Sequence, residues 1–428
     1  MFPPEIEISP AEGPLAATIR VPGSKSITNR ALLLAAMADG ISVVDSVLLS
    51  DDTYSMTVAL RTLGIDVDVD ETNRIISVHG HGGIIPATRA NLEVGGAGTA
   101  MRFLAGFLTL GHGHFRLDGN TRMRQRPIGA LLEALRQLGI DARAENNDGF
   151  PPVIIDTTLT TFVGGEVTID ARLSSQFVSA LLMPAPLWPH GLKLNVNGEA
   201  ARPFIDMTLD LMKRWGVKAS RDGDRIIVRG GQRYNATQFT VEPDATGASY
   251  FAAVAALVGG KITIRGLRRD SVQGDLGFLQ ILEQMGARIR WTSDGVEVVG
   301  TGRLAGVDVA MNTMPDVVAT LAAIAPFASS PTRIRKVGFI RHHESDRIHA
   351  LATELARLGA AVREFDDGLE ITPSPLHRAI VETYDDHRIA MAFAVAGLKL
   401  AGVRIKNPGC VAKTYPEFFE HLKSVAGC

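Results

Sequence analysis

Five stretches of the chain carry a helix-like pattern of apolar and polar positions up to a hydrophobic residue, then a glycine, then a strand-like run. They read ALRTLGIDVDV, ALRQLGIDARA, LMKRWGVKASR, ILEQMGARIRW and ELARLGAAVRE, with glycines at Gly64, Gly139, Gly216, Gly286 and Gly359. The intervals are 75, 77, 70 and 73 residues, a near-constant period that marks an internal repeat. PEFFEHLKSVAG at the end predicts a sixth helix of the same kind, with no strand after it.

A second helix, rich in Ala and Leu, recurs in step with the first. Its copies begin at SITNRALLLAAMADG, GTAMRFLAGFLTLG, SSQFVSALLMPAPL, TGASYFAAVAALVGG, PDVVATLAAIAPFA and DDHRIAMAFAVAGLKLAG. Six units of helix, strand, helix and strand therefore build the chain, with glycines as C-caps and a Ser, Thr or Asp as N-cap. Alternating strands and helices predict an α/β protein whose apolar helices pack beneath sheets.

Composition narrows the function classes. At 428 residues the chain exceeds one compact core, so two domains are expected. A 46% hydrophobic content with 6% aromatics describes an ordinary soluble protein, and a formal charge of -2 argues against nucleic acid as a partner. ASYFAAVAALV falls short of the ~20 apolar residues that span a membrane. MFPPEIEISP lacks the basic and apolar regions of a secretory signal, and Cys410 and Cys428 give neither a disulfide framework nor metal spacing. A reduced, cytoplasmic protein that needs no metal is expected.

The polar residues gather at the start of each Ala- and Leu-rich helix. VPGSKSITNRALLLAAMADG has the look of a phosphate site, but Ser24 separates Gly23 from Lys25 and no upstream glycine completes a nucleotide P-loop. The equivalent starts carry Lys25, Ser26 and Arg30; Gly98, Thr99 and Arg102; Ser174, Ser175 and Gln176; Thr246 and Ser249; Asp316; and Asp386, His387 and Arg388. Helix N-termini present unpaired N–H groups and partial positive charge, which suit anions. Capping accounts for Thr246 and Ser249. It does not account for Lys or Arg in so many first turns, where a cation opposes the dipole unless an anion is near.

Other signals are weaker. In RHHESDR, His342 and His343 diverge on a strand, so a metal site is not expected. HGHGG and GHGHF suggest polar turns, and Cys410 a partly buried bystander thiol.

From end to end the chain resembles the 5-enolpyruvylshikimate-3-phosphate (EPSP) synthase family of enolpyruvyl transferases. The resemblance rests on PGSKSITNRALLLAA, GGAGTAMRFL, RMRQRPIG, SSQFVSALLM, ESDRI, DDHRIAM and AKTYPEFF, in that order. It implies an inside-out α/β architecture of two globular domains, each of three repeated βαβαββ-type units, six in all. By analogy one domain comprises 1–23 plus 243–428 and carries the catalytic acid and base. The other, 24–242, binds substrate, with a cleft and hinge between them.

The resemblance implies transfer of the enolpyruvyl group of phosphoenolpyruvate to the 5-hydroxyl of shikimate 3-phosphate, without cofactor, by a monomer. Lys25, Ser26, Arg30, Ser174, Ser175, Gln176, Asp316 and His343 are then expected to hold shikimate 3-phosphate. Lys25, Gly98, Arg126, Gln176, Arg347, Arg388 and Lys413 are expected to hold phosphoenolpyruvate. Asp316 would accept the hydroxyl proton, Glu344 would protonate the alkene carbon, and Lys25 would assist the leaving phosphate. Arg102 and Arg122 are read as structural.

Several positions depart from the family pattern. Gly96 stands for the usual Asn and Phe103 for Pro; loss of a proline in the first helical turn predicts weaker inhibition by glyphosate, which competes with phosphoenolpyruvate in this family. Ala201, Phe339 and His343 replace Ser, Asn and Lys, and Phe204 the usual Tyr. At His343 an imidazolium contact to phosphate, lost as pH rises, is expected. The related UDP-N-acetylglucosamine transferases usually carry a reactive cysteine in the loop matching NTRMRQRPIG, where this chain has none. A phosphometabolite-binding homologue without catalysis would not need both proton-transfer carboxylates.

Overall fold

A computed structural model describes residues 2–159, 162–198 and 201–427, so Cys428 lies outside the described residues. The chain forms two compact units, Lys25–Val241 and Met1–Ser24 with Glu242–Cys428.

In the unit Lys25–Val241 the helices are α1 (Lys25–Met37), α2 (Asp51–Thr62), α3 (Gly98–Phe107), α4 (Gly129–Gln137), α5 (Ser175–Leu182) and α6 (Arg202–Arg214). The other unit holds α7 (Ala245–Val258), α8 (Gly277–Gln284), α9 (Val318–Ile324), α10 (Arg347–Arg357), α11 (His387–Gly397) and α12 (Phe418–Ala426). The odd-numbered helices up to α11 are the Ala- and Leu-rich series. Every residue of α3, α9 and α11 is buried, as is Ile27–Met37 of α1. A helix apolar on all sides belongs in a core. The even-numbered helices are amphipathic: α6 buries only Ile205, Met207, Thr208, Leu211 and Met212.

The even-numbered helices account for the glycine period. After α2, α4, α6, α8 and α10 the chain turns at Gly64, Gly139, Gly216, Gly286 and Gly359, with φ of +85°, +94°, +90°, +108° and +92°. This left-handed position costs a side chain steric strain, and glycine enters it freely. Gly427 follows α12 in the same conformation, at +76°.

Among the described residues the strands form six small sheets. In a complete unit, one strand pairs in parallel with the strand that follows the buried helix, and a hairpin adds two antiparallel strands. Gly165–Asp170 pairs in parallel with Leu192–Asn197, from Gly165↔Leu192 to Asp170↔Asn197. Arg225–Val228 and then Ala219–Asp222 follow antiparallel. Alternate residues of Leu192–Asn197 are buried, the pattern of a sheet with one face on the core.

The sheet of the sixth repeat takes its antiparallel strand from a distant part of the chain. Ile380–Val381 pairs in parallel with Arg404–Lys406, and the antiparallel place beside that strand is taken by Glu5–Glu7, with Ile6 opposite Ile405. Leu15–Ile19 likewise supplies the parallel strand beside Gly260–Arg265. In the unit Lys25–Val241, Gln238–Thr240 closes the first sheet beside Ala38–Asp45.

Two local expectations are corrected. HGHGG is not a polar turn throughout, because His79, Gly80 and His81 belong to the strand Ile75–His81 and the turn begins at Gly82. A Cβ on Gly80 would stand 2.3 Å from the Ala35 carbonyl oxygen, so glycine lets this strand lie against α1. His342 lies in the 3-10 turn Gly338–His342, with His343 just after it, rather than on a strand.

Candidate active site

In the unit Lys25–Val241, Lys25 is the first residue of α1 and its Nζ lies 3.0 Å from Oδ2 of Asp52, in the first turn of α2. A carboxylate in a first helical turn is favoured by the dipole, and here it offsets a cation that the dipole of α1 opposes.

Arg30, one turn further into α1, is buried. It donates to Thr208 Oγ1 (2.8 Å), the Ser26 carbonyl (3.0 Å), Ser179 Oγ (3.2 Å) and the Phe204 carbonyl (3.3 Å). All are neutral oxygens, so burial without a counter-charge lowers its guanidinium to about 9.

At the start of α3, Arg126 is buried and donates to the Gly96 carbonyl (3.4 Å). A Cβ on Gly98 would lie 2.7 Å from both terminal nitrogens of Arg126. Glycine at 98 is thus what allows the guanidinium to lie across the helix end. Ser174 caps α5 by accepting from the Gln176 N–H (3.1 Å), Ser175 is buried, and Gln176 Nε2 reaches Thr99 Oγ1 of α3 (3.5 Å). Arg102 donates to the Gly98 and Pro127 carbonyls, tying the helix to the loop, while Arg122 bonds Gln125.

In the other unit the expected residues form one ion-pair network around Arg347, which is 1% exposed. Its Nε donates to Asp386 Oδ2 (2.9 Å), Nη1 to Asp316 Oδ1 (3.1 Å) and to His343 Nδ1 (3.2 Å), and Nη2 to Glu344 Oε2 (2.9 Å). Arg388 Nη2 grips the second oxygen of Asp316 at 3.2 Å, and its Nη1 meets Tyr250 OH at 3.3 Å. Asp386 caps α11 through the Arg388 N–H and also accepts from Ser345 Oγ (2.9 Å). Burial works to lower both arginines, but Asp386, Glu344 and Asp316 around Arg347, and Asp316 foremost around Arg388, hold them above their ordinary range. Both stay charged. Lys413 ends the 3-10 turn Pro408–Lys413, which packs on α11.

Some expectations change with this geometry. Thr246 and Ser249 do not cap α7, because Asp244 at the extended residue before it accepts the Gly247 N–H. Thr246 instead donates to Asp275, and Ser249 to the Thr246 carbonyl. Asp316 does not cap α9 either: it lies in the 3-10 turn Pro315–Val317, held by two arginines. Phe103 is the sixth residue of α3, in its second turn, so a proline there would not fix the first. Its ring lies under Arg30. Burial pushes the Cys410 thiol up to about 12, which fits a bystander.

Sequence reasoning missed two buried carboxylates, Asp52 and Asp275, and saw only the position, not the role, of Asp386. Burial first, and then the charge of Asp316, push Asp275 up to about 7. Asp52 follows the cap Ser50 in VLLSDD, a helix-start signal that gives no sign of its partner. Among the described residues no group of His, Cys, Asp and Glu has the arrangement of a metal site, and no helix is long and apolar enough to cross a membrane.

Comparison with known proteins bears on this arrangement. A family model described as EPSP synthase (3-phosphoshikimate 1-carboxyvinyltransferase) matches residues 10–422. The 3-phosphoshikimate 1-carboxyvinyltransferase of Trichormus variabilis is 46% identical over 424 residues, covering 99% of each chain. The chloroplastic enzyme of that name from Solanum lycopersicum is 44% identical, covering 98% of this chain and 84% of its own. Among solved structures, an EPSP synthase from Acinetobacter baumannii superposes with a TM-score of 0.82 at 26% identity, covering 98% of both chains.

Proposed function

The chain belongs to the EPSP synthase family, and we infer that it transfers the enolpyruvyl group of phosphoenolpyruvate to the 5-hydroxyl of shikimate 3-phosphate, a step of the shikimate pathway. The hydroxyl oxygen bonds to the alkene carbon that bears phosphate while the neighbouring carbon gains a proton, giving a tetrahedral intermediate. The C–O bond to phosphate then breaks, the methyl group loses a proton, and inorganic phosphate leaves with the electron pair. The net reaction moves no electrons to or from an outside carrier.

The observation that carries the reading is the double hold of Arg347 on Asp316 and Glu344. One rigid, buried guanidinium fixes a carboxylate that takes the hydroxyl proton and a second that delivers a proton to carbon and takes it back. Arg347 and Arg388, with Lys413, suit the carboxylate and phosphate of phosphoenolpyruvate; Gly98 with Arg126, and Gln176, serve the same substrate. Arg30, Ser26, Ser174, Ser175 and Gln176 suit shikimate 3-phosphate, together with Asp316 and His343. Lys25 assists departure of phosphate. The absence of a reactive cysteine in NTRMRQRPIG disfavours an amino-sugar nucleotide as acceptor. The chain acts as a cytoplasmic monomer, and glyphosate competes with phosphoenolpyruvate.

The test is phosphate release by the purified chain with phosphoenolpyruvate and either shikimate 3-phosphate or UDP-N-acetylglucosamine. Release with shikimate 3-phosphate alone is expected. Release with the sugar nucleotide alone, or with neither, would overturn the assignment.

A further inference from the structure

Tyr384 and Asp385 are consecutive left-handed residues, with φ of +55° and +56°, directly before Asp386, the cap of α11. Neither is glycine, so surrounding contacts must impose a conformation that is sterically unfavourable. Those contacts converge on Glu354, which has no solvent exposure. Its Oε1 accepts from Tyr384 OH at 2.8 Å and its Oε2 from the Glu382 N–H at 3.1 Å, with Arg357 Nε also 3.1 Å from Oε2. From the other side, Asn407 Nδ2 donates to Asp385 Oδ1 at 3.1 Å, and the Asp386 N–H closes on the Thr383 carbonyl at 2.8 Å. Burial, reinforced by Glu354, pushes the Tyr384 hydroxyl up to about 12, so it stays a donor at neutral pH.

Glu354 follows Arg347 by two helical turns and lies on the same face of α10. That face therefore grips the segment twice, at Asp386 through Arg347 and at Tyr384 and Glu382 through Glu354. A fully buried carboxylate is costly to keep unless it is paired and hydrogen-bonded. Here two of its three donors belong to the strained segment.

We propose that Glu354 is a positioning residue: through Tyr384 and the Glu382 N–H it holds the left-handed turn that sets the direction in which α11 presents Arg388. The inference rests on the reading of Arg347 and Arg388 as groups that hold phosphoenolpyruvate.

Two variants test it. Tyr384→Phe keeps the ring and deletes one hydrogen bond; Glu354→Gln replaces two acceptor oxygens, which serve three donors, by a single acceptor oxygen. In each, the KM for phosphoenolpyruvate is expected to rise about tenfold while that for shikimate 3-phosphate stays within about twofold. A merely structural role would lower the melting temperature or kcat and leave both KM values alone, and that result, or an equal rise in both, overturns the proposal. A crystal structure of Tyr384→Phe is independent of what the chain catalyses. It is expected to show the Arg388 guanidinium shifted from its 3.2 Å contact with Asp316, and an unmoved guanidinium overturns the positioning role whatever the reaction.

Discussion

The guanidinium of Arg30 lies 4.9 Å from the centroid of the Phe103 ring, and it has no carboxylate partner among the described residues. The aromatic face and four neutral oxygens soften the burial of this charge without neutralising it. Arg30→Met, uncharged and similar in length, is therefore expected to raise the melting temperature by a few degrees, from about 1 kcal/mol of relieved burial. The same variant should lose shikimate 3-phosphate affinity at least ~tenfold. Thermal denaturation and calorimetry check the two halves, and a drop in melting temperature of more than about 5 °C would show that the hydrogen bonds outweigh the buried charge.

Gly98→Ala places a methyl group where the Arg126 guanidinium now lies. The helix itself tolerates Ala well, so stability should hardly change. Arg126 must move, and the KM for phosphoenolpyruvate is expected to rise roughly tenfold with shikimate 3-phosphate affinity unaltered. Steady-state kinetics with each substrate varied in turn decides it; an unchanged phosphoenolpyruvate KM would place Arg126 outside the site.

Asp275 predicts a pH effect on stability. Its Oδ2 accepts from Thr246, its Oδ1 has no hydrogen-bond partner among the described residues, and Asp244, Asp316 and Arg388 are the charged groups acting on it. Its pKa rises from 3.8 to about 7 on folding, so the folded chain binds the proton more tightly than the unfolded one. The resulting stabilisation is complete below the unfolded pKa and is lost as pH climbs through about 7. Asp275→Asn should remove that decline. Urea denaturation at pH 4.5, 6 and 7.5 is expected to show the wild type losing ground to the variant, and parallel trends would refute the assignment.

The ring nitrogen of His343 that faces Arg347 bears on how the side chain could meet phosphate. Arg347 can only donate, so as a hydrogen bond its 3.2 Å contact would need Nδ1 of His343 to accept, with the proton on the other ring nitrogen. A neutral ring offers phosphate one N–H and no charge. His343→Lys is expected to bind shikimate 3-phosphate more tightly than the wild type by a similar factor at pH 6 and pH 8. Calorimetry in which the wild type falls behind only at pH 8 would restore the imidazolium.

The repeat was legible because its signal is local: a left-handed glycine after each amphipathic helix is a requirement of three or four adjacent residues. The candidate site was legible where cations occupy first helical turns, at Lys25 and Arg388, and one turn on at Arg30. Its carboxylates were not, since Lys25 finds Asp52 27 positions away, Thr246 finds Asp275 after 29 and Arg347 finds Asp386 after 39. Those partners come from separate elements, and an Asp in a helix's first turn looks the same whether it caps a backbone or holds an arginine. The strained pair Tyr384–Asp385 was invisible for a related reason, as contacts from Glu354 and Asn407 override the preference of both residues.

The strand Glu5–Glu7 gives the chain a schedule as well as a shape. During synthesis its partner Arg404–Lys406 is translated about 400 residues after it, roughly 20–80 s later at ordinary elongation rates. Leu15–Ile19 must similarly await Gly260–Arg265. The segment Lys25–Val241, whose sheets draw on no strand outside it among the described residues, can meanwhile condense as it emerges. The nascent chain thus carries two unmatched strands while the partners of both are still to be made, and the strands of Lys25–Val241 are complete before those partners appear.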